Sequence, residues 1–598
     1  MTRSFCSLPA RAKCLHAWFF LLFVSFPTSA QDVLPRKYTV RASANVQEAP
    51  SRITLTWPSE GDASSYAIYR RTLDSGWQQF GSLGGGDISF ADGNVNAGTP
   101  YEYQIVKQTS GYTGYGYLRA GIRVPAPDYR GKLLLLVENS PAGALGGELD
   151  RLQSDLTADG WVVIRRTVSM HDSPQSVKEV IRSVYNSDPS NVKALFLFGH
   201  IPVPYSGDIA PDEHANHQGA WPADVYYGDV DGSWTDQSVN TTTAERSTNH
   251  NVPGDGKFDQ GEIPSQVELM VGRVDLHNMT CYANKANSRS EIDLLRQYLN
   301  KNHAFRIGEI SVERRGLICD NFGDKGDDPI AGSAWRTFSG AVGENVQEVP
   351  WDGYFPAVTS GTYLWSYGSG GGTYYYSMGV GTSDDFALQD VKVVFTMFMG
   401  SYFGDWNNES NFLRAALGSG YVLTSSYSGF PHSIYFPMSL GEPIGYCMRL
   451  SQNNAPGGLY PPWEQGTHLV HVALHGDPTL RLHPVKPVSN LSASSRSGRV
   501  NLSWNGSPDS KLQGYHVYRS TSAEGPFTRL TSQPVSGSNF SDTPPEGSYT
   551  YMVRAIKLEQ TPSGTYLNPS LGVFAAASSS GGGEPDPGPC PLQLSVGL

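Results

Sequence analysis

Two hydrophobic rhythms divide the chain. Near its start, 52-RITLTW-57 alternates apolar and polar positions, followed by 65-SYAIYRR-71 and 101-YEYQIV-106. Near its end the same order returns as 499-RVNLSW-504, 514-GYHVYRS-520 and 549-YTYMVRA-555. Alternation with period two, broken by Gly, Pro, Asp and Ser, predicts short antiparallel strands with one buried face. A module of about 100 residues with a Trp in an early strand predicts a β-sandwich whose indole fills the space between two sheets.

Residues 130–484 follow the second rhythm. The run 132-KLLLLVEN-139 is continuously apolar, as expected of a strand covered on both faces. Leu149, Leu152 and Leu156 then share one helical face, before 161-WVVIRRTV-168, the helix-like 174-PQSVKEVIRSVYN-186 and 193-KALFLFG-199. Strand and helix alternating at short spacing predict parallel βαβ units. Further strands are predicted at 267-VELMVGRV-274, 391-VKVVFTMFM-399 and 419-SGYVLTSSY-427, with a helix over 289–303. The fold class expected is therefore multidomain: a central α/β segment with a mostly parallel sheet, flanked by two all-β sandwiches.

The flanking segments, 38–125 and 487–575, resemble fibronectin type III modules in pattern and spacing. The resemblance implies spacers or adhesive surfaces, with the aromatic residues serving as core. Residues 576–598 form a Gly/Pro-rich tail expected to be a flexible terminus.

The N-terminus changes the picture of where the protein works. Arg3, Arg11 and Lys13 precede an apolar run from Leu15 to Phe26, and Thr28-Ser29-Ala30 supplies small residues. This is the layout of a secretory signal peptide over residues 1–30, and the run is shorter than the ~20 residues that span a bilayer. The expected location is secreted, extracellular or at the cell surface, with no transmembrane segment after the signal is removed. Removal takes three basic residues and moves the net charge from −12 to about −15. An acidic chain without a basic cluster lacks the electrostatic footprint of a nucleic-acid binder. The partners expected are an extracellular protein, peptide or glycan. Four cysteines remain, Cys281, Cys319, Cys447 and Cys590, with no CxxC; one or two disulfides are compatible with export, and their pairing is open.

Chemistry in open α/β sheets collects beyond the carboxyl ends of the strands, and four loops there carry candidates. After Gly199, Asp212, His214 and His217 form D-x-H-x-x-H, a donor set that suits Zn²⁺; the alternative is a polar loop. Asp229, Asp231 and Asp236, then Asp255, Asp259 and Glu262, place six carboxylates in two Gly-containing loops. Hard oxygen donors on such loops suit Ca²⁺, against the alternative of a solvated acidic loop with Asx turns. The third loop is 362-TYLWSYGSGGGTYYYS-377, and the fourth lies in 395-FTMFMGSYFGDWNNES-410.

The segments 193-KALFLFGHIPVPYSGD-208, 225-VYYGDVDG-232, 268-ELMVGRV-274 and 474-LHGDPTLRLHP-484 resemble the gingipain family. These are secreted cysteine peptidases of caspase-like α/β fold, often followed by an immunoglobulin-like module. The resemblance implies a Cys–His dyad, with the imidazole in a GHG turn at one strand end and the thiolate at the end of the next. Here the turn reads Tyr367-Gly368-Ser369-Gly370-Gly371, and the second strand ends at Met399. Ser369 stands at the position of the base and Met399 at that of the nucleophile, with Gly400 and Ser401 close behind. A hydroxyl cannot act as a base near neutral pH, and a thioether has no proton to lose. The expectation is a gingipain-like domain without the standard dyad, acting as a binding or structural protein. The alternative is a hydrolase with a relocated dyad drawn from Ser401 or Cys319 as nucleophile and His432 or His200 as base.

Overall fold

The computed structural model describes residues 35–283, 288–323, 329–427, 432–463 and 467–580. The signal-peptide segment and Cys590 lie outside the described residues. The described residues form one compact unit of several sheets with few helices. Among the described residues, no helix is long and apolar enough to cross a membrane.

The central sheet has ten strands. In chain order they are β1 (Gly131–Glu138), β2 (Trp161–Val168), β3 (Val192–Phe198), β4 (Met270–Val274), β5 (Gly316–Asp320), β6 (Val346–Glu348), β7 (Tyr363–Ser369), β8 (Val393–Met399), β9 (Thr424–Tyr427) and β10 (Ala473–Gly476). Their spatial order is β6-β5-β7-β8-β9-β10-β4-β3-β1-β2. Strands β2, β1, β3 and β4 pair in parallel, as do β6, β5, β7, β8 and β9. Strand β10 runs antiparallel to β9 and meets β4 through the single pair Arg273 and His475.

The apolar run of β1 explains why this sheet is interior. Leu133, Leu135 and Val137 enter one buried cluster, and Leu134 and Leu136 enter another on the opposite face. Strand β3 splits likewise, with Phe196 and Phe198 on one side and Leu195 and Leu197 on the other. Helix α1 (Gly146–Ala158) turns Leu149, Leu152 and Leu156 into the first cluster, and α2 (Pro174–Ser187) turns Val177, Ile181 and Val184 into the second. The start of α2 is set by Ser173, whose Oγ accepts from Ser176 N at 3.1 Å, with Pro174 in the first turn where no N–H is needed. Helix α3 (Glu291–Arg306) begins with a reciprocal capping box between Ser290 and Asp293.

The two flanking segments pack as β-sandwiches around their tryptophans. Trp57 lies against Tyr66 with ring centroids 5.2 Å apart, and Trp504 against Tyr515 at 5.5 Å. Truncating either indole to Ala would cost about 3–5 kcal/mol. What the repeated pattern does not announce is that the sandwiches share a sheet. The strand Gly564–Pro569 runs parallel to Thr113–Val124, through the pairs Gly564/Gly121 and Tyr566/Val124. A Cβ on Gly564 would sit 2.2 Å from Gly121 O, and its φ is +109°, so this close approach requires glycine. The two flanking segments are thus joined, with the buried helix Gly332–Val342 packed against both (Gly340 O accepts from Ser563 Oγ at 2.9 Å).

Candidate active site

Strands β5, β7 and β8 bring Asp320, Ser369 and Met399 into register at their carboxyl ends. Ser369 is fully buried, and its Oγ donates to Asp320 Oδ1 at 2.8 Å. Asp320 also accepts from Phe322 N and Gly323 N through that oxygen, while its buried Oδ2 has no partner among the described residues. Burial therefore dominates and raises the carboxyl above its ordinary value, despite the Ser369 hydrogen bond. Met399 is buried in the main core. The 362–377 turn thus carries a hydroxyl locked to a carboxylate beside a thioether, with no imidazole in contact with either.

Cys319 is buried at the carboxyl end of β5. Its Sγ lies 3.4 Å from Gly379 O and 3.6 Å from Asn321 Nδ2, and burial pushes the thiol up to about 11. Almost no thiolate exists at neutral pH. Cys281 and Cys447 are also buried, and no disulfide joins the three described cysteines. His432 directs Nε2 to Tyr460 O at 2.9 Å, and His200 directs Nδ1 to Asp275 Oδ2 at 2.8 Å.

Ser401 does have an imidazole, from a residue first considered as a metal ligand. His214 Nε2 lies 2.8 Å from Ser401 Oγ. Gly400 makes this position possible, because a Cβ there would fall 2.1 Å from the Phe403 ring and 2.7 Å from Gly370 O. The next residue, Tyr402, adopts φ +66°, uncommon for a bulky side chain and costing of order 1 kcal/mol or more. Its N–H donates to Asp212 Oδ2 at 2.8 Å, and its ring stacks on His214 at 4.8 Å and on His217 at 4.7 Å. The D-x-H-x-x-H loop is therefore clamped onto the turn after β8.

Behind the pair lies a buried polar cluster. His217 sends Nδ1 to Asp212 Oδ2 at 2.7 Å and Nε2 toward Asp405 Oδ2 at 3.5 Å. Arg246 pairs with the same Asp405 oxygen and lies over the Tyr374 ring. Burial works against the charged imidazole, but the hydrogen bonds to Asp212 and Asp405 outweigh it and raise His217 above its ordinary value. Burial likewise opposes the Asp212 carboxylate, which His217 and Tyr402 N nonetheless hold below the ordinary value. Two carboxylates thus face one imidazole and one guanidinium. Because Asp212 and His217 satisfy each other and His214 turns to Ser401, the three do not converge as a metal set. No carboxylate reaches His214 Nδ1 among the described residues, so the Ser401–His214 arrangement is a dyad.

The six acidic loop residues separate. Asp259 accepts from Thr235 Oγ1 and from the N–H groups of Gln237, Ser238 and Val239, which hold it far below its ordinary value against burial. Asp236 accepts from Gly254 N and Gly256 N, and Asp255 from Val252 N and Lys257 N. Glu262 lies where its backbone bridges to Leu469. Asp229 and Asp231 come together with Glu268, with one ligand atom from each within 4.8 Å of the others. Burial pushes Glu268 up to about 7, with Asp231 and Asp229 adding to the shift. Sequence reasoning missed Glu268, Arg246 and the partnership of His214 with Ser401. The signals for the last were present as two motifs read separately.

No protein-family model matches the chain, and no curated protein does. Among solved structures, the chain is similar to the Arg-specific cysteine proteinase gingipain R, with 10% identity and a TM-score of 0.43, covering 76% of this chain and 99% of that one. A Fn3-like protein from Clostridium thermocellum matches with 26% identity and a TM-score of 0.13, over 15% of this chain and 90% of that one. Pectate lyase Pel3 from Pectobacterium carotovorum matches with 15% identity and a TM-score of 0.12, over 16% of this chain and 36% of that one. Likeness at this level concerns architecture and not the roles of residues.

Proposed function

We propose that this chain is an exported hydrolase acting on an ester or amide carbonyl of an extracellular peptide, protein or glycan. It uses Ser401 as nucleophile and His214 as base, on a gingipain-like core whose usual Cys–His positions read Met399 and Ser369. The observation that carries the reading is the 2.8 Å contact between His214 Nε2 and Ser401 Oγ. Attack by Oγ transfers its proton to Nε2, and the same nitrogen returns it to the leaving group. Tyr402 and the Asp212–His217 pair act as positioning residues, holding the loop that supplies the imidazole. The signal-peptide pattern of residues 1–30 supports export. The close trio Asp229, Asp231 and Glu268 narrows the calcium reading to those oxygens.

A second reading is favoured by one feature: both neighbouring carboxylates, Asp212 and Asp405, are engaged by His217 rather than His214. On that reading the cluster is a binding site without turnover. A fluorophosphonate probe with the mature protein tests the choice. Covalent labelling at Ser401 that is lost in H214N supports the hydrolase, and absence of labelling supports the binding site.

A further inference from the structure

His200, which the hydrolytic reading leaves unused, belongs to a second pair. It follows the end of β3, and His277 follows the end of β4, the adjacent parallel strand whose Val274 pairs with Phe198. The two imidazoles stack with centroids 4.4 Å apart and an interplanar angle of 30°. Each ring is held by its own carboxylate through the same atom. His200 Nδ1 lies 2.8 Å from Asp275 Oδ2, and His277 Nδ1 lies 2.9 Å from Glu291 Oε2.

This arrangement fixes the tautomer. A carboxylate accepts, so Nδ1 carries the proton and Nε2 carries the lone pair. Among the described residues no hydrogen bond or ion pair engages either Nε2, and the side chains are 20% and 39% exposed. The carboxylates are themselves anchored. Asp275 is fully buried, with Oδ1 2.9 Å from Arg414 Nη2 and Oδ2 3.8 Å from Arg273 Nη1. Asp275 Oδ1 also accepts from His277 N at 3.0 Å. Glu291 opens α3, one residue after the Ser290 cap. Three carboxylates (Asp224, Asp275 and Glu291) face two guanidiniums (Arg273 and Arg414), so the surroundings do not repel a cation.

We propose that His200 and His277 form a two-imidazole site for a borderline divalent transition ion of the Zn²⁺, Ni²⁺ or Cu²⁺ class. Neutral imidazole with its far nitrogen hydrogen-bonded to a carboxylate is the arrangement in which histidine ligates such ions. Two protein ligands leave the remaining positions to water or to a donor on a bound molecule, which makes the site an open one. Among the described residues the pair makes no hydrogen bond to Ser401 or His214, so it does not depend on the hydrolytic reading.

Equilibrium dialysis of the mature protein against ZnCl₂ and NiCl₂, with bound metal counted by mass spectrometry, tests the proposal. The expected result is one bound equivalent that disappears in both H200A and H277A and is retained in H214A. E291Q, a substitution on a partly exposed side chain, should keep the equivalent but weaken it about 10–100-fold. Circular dichroism establishes that each variant is folded, and H277Q replaces H277A if the latter is not. Cu²⁺ loading should give an electron paramagnetic resonance signal with coupling to imidazole nitrogen that H277A removes. No bound equivalent in the unsubstituted protein, or one that survives H277A or H277Q unchanged, overturns the proposal.

Discussion

Ser369 and Met399 are register partners on adjacent parallel strands, and the hydroxyl of the first is committed to Asp320 rather than facing a substrate. In S369A the buried Asp320 carboxylate loses a donor, and the expected cost is about 1–3 kcal/mol. Urea denaturation checks it. Asp320 titrates above its ordinary value in the folded protein. Its contribution is therefore full below the unfolded pKa and is lost as pH rises through the folded one. D320N should remove that step from the stability profile just above the ordinary carboxylate range, and an unchanged profile would contradict the burial argument.

The His217–Asp212 pair gives the opposite signature on each side. His217 is raised, so its contribution is full below about 6.5 and fades as pH climbs through the raised value. Asp212 is lowered, so its contribution is full above about 3.8 and fades as pH falls through the lowered value. The stabilisation is greatest between these limits. Breaking a buried pair by removing one partner costs about 3–5 kcal/mol, so D212N should lower the melting temperature most within that window. It should also reduce probe labelling at Ser401, because Tyr402 N loses its acceptor.

Calcium should act through three oxygens rather than six. Glu268 is raised to about 7, so without metal its ionisation destabilises the fold as pH rises through that value. Added Ca²⁺ should raise the melting temperature more at pH 8 than at pH 6, and E268Q should abolish most of the increment. D259N should destabilise the protein with or without calcium, because Asp259 is saturated by loop donors. A calcium response that survives E268Q and vanishes in D259N would reverse the assignment.

Much of the fold was legible because the hydrophobic code is local. Leu133–Val137 announced a strand with two covered faces, and Trp57 and Trp504 announced two sandwich cores. The pairing of Gly564 with Gly121 was not legible, since it joins backbones from opposite ends of the chain through two residues without side chains. At the site, the absence of an imidazole at Ser369 could be read directly from the residue type. The meeting of His214 with Ser401 could not, because it depends on a long loop folding back over β8 and on a positive φ at Tyr402. Glu268 was hidden in the run 267-VELMVGRV-274, where it read as a polar position in a strand and not as the third oxygen beside Asp229 and Asp231.

The central claim is that Ser401 is a nucleophile activated by His214. The most direct measurement is mass-spectrometric mapping of fluorophosphonate adducts on the mature protein, alongside S401A and H214N. The account predicts one adduct, on the peptide containing Ser401, absent in S401A and formed at least about 100-fold more slowly in H214N. An unlabelled protein, or an adduct that maps elsewhere and persists in S401A, would contradict it.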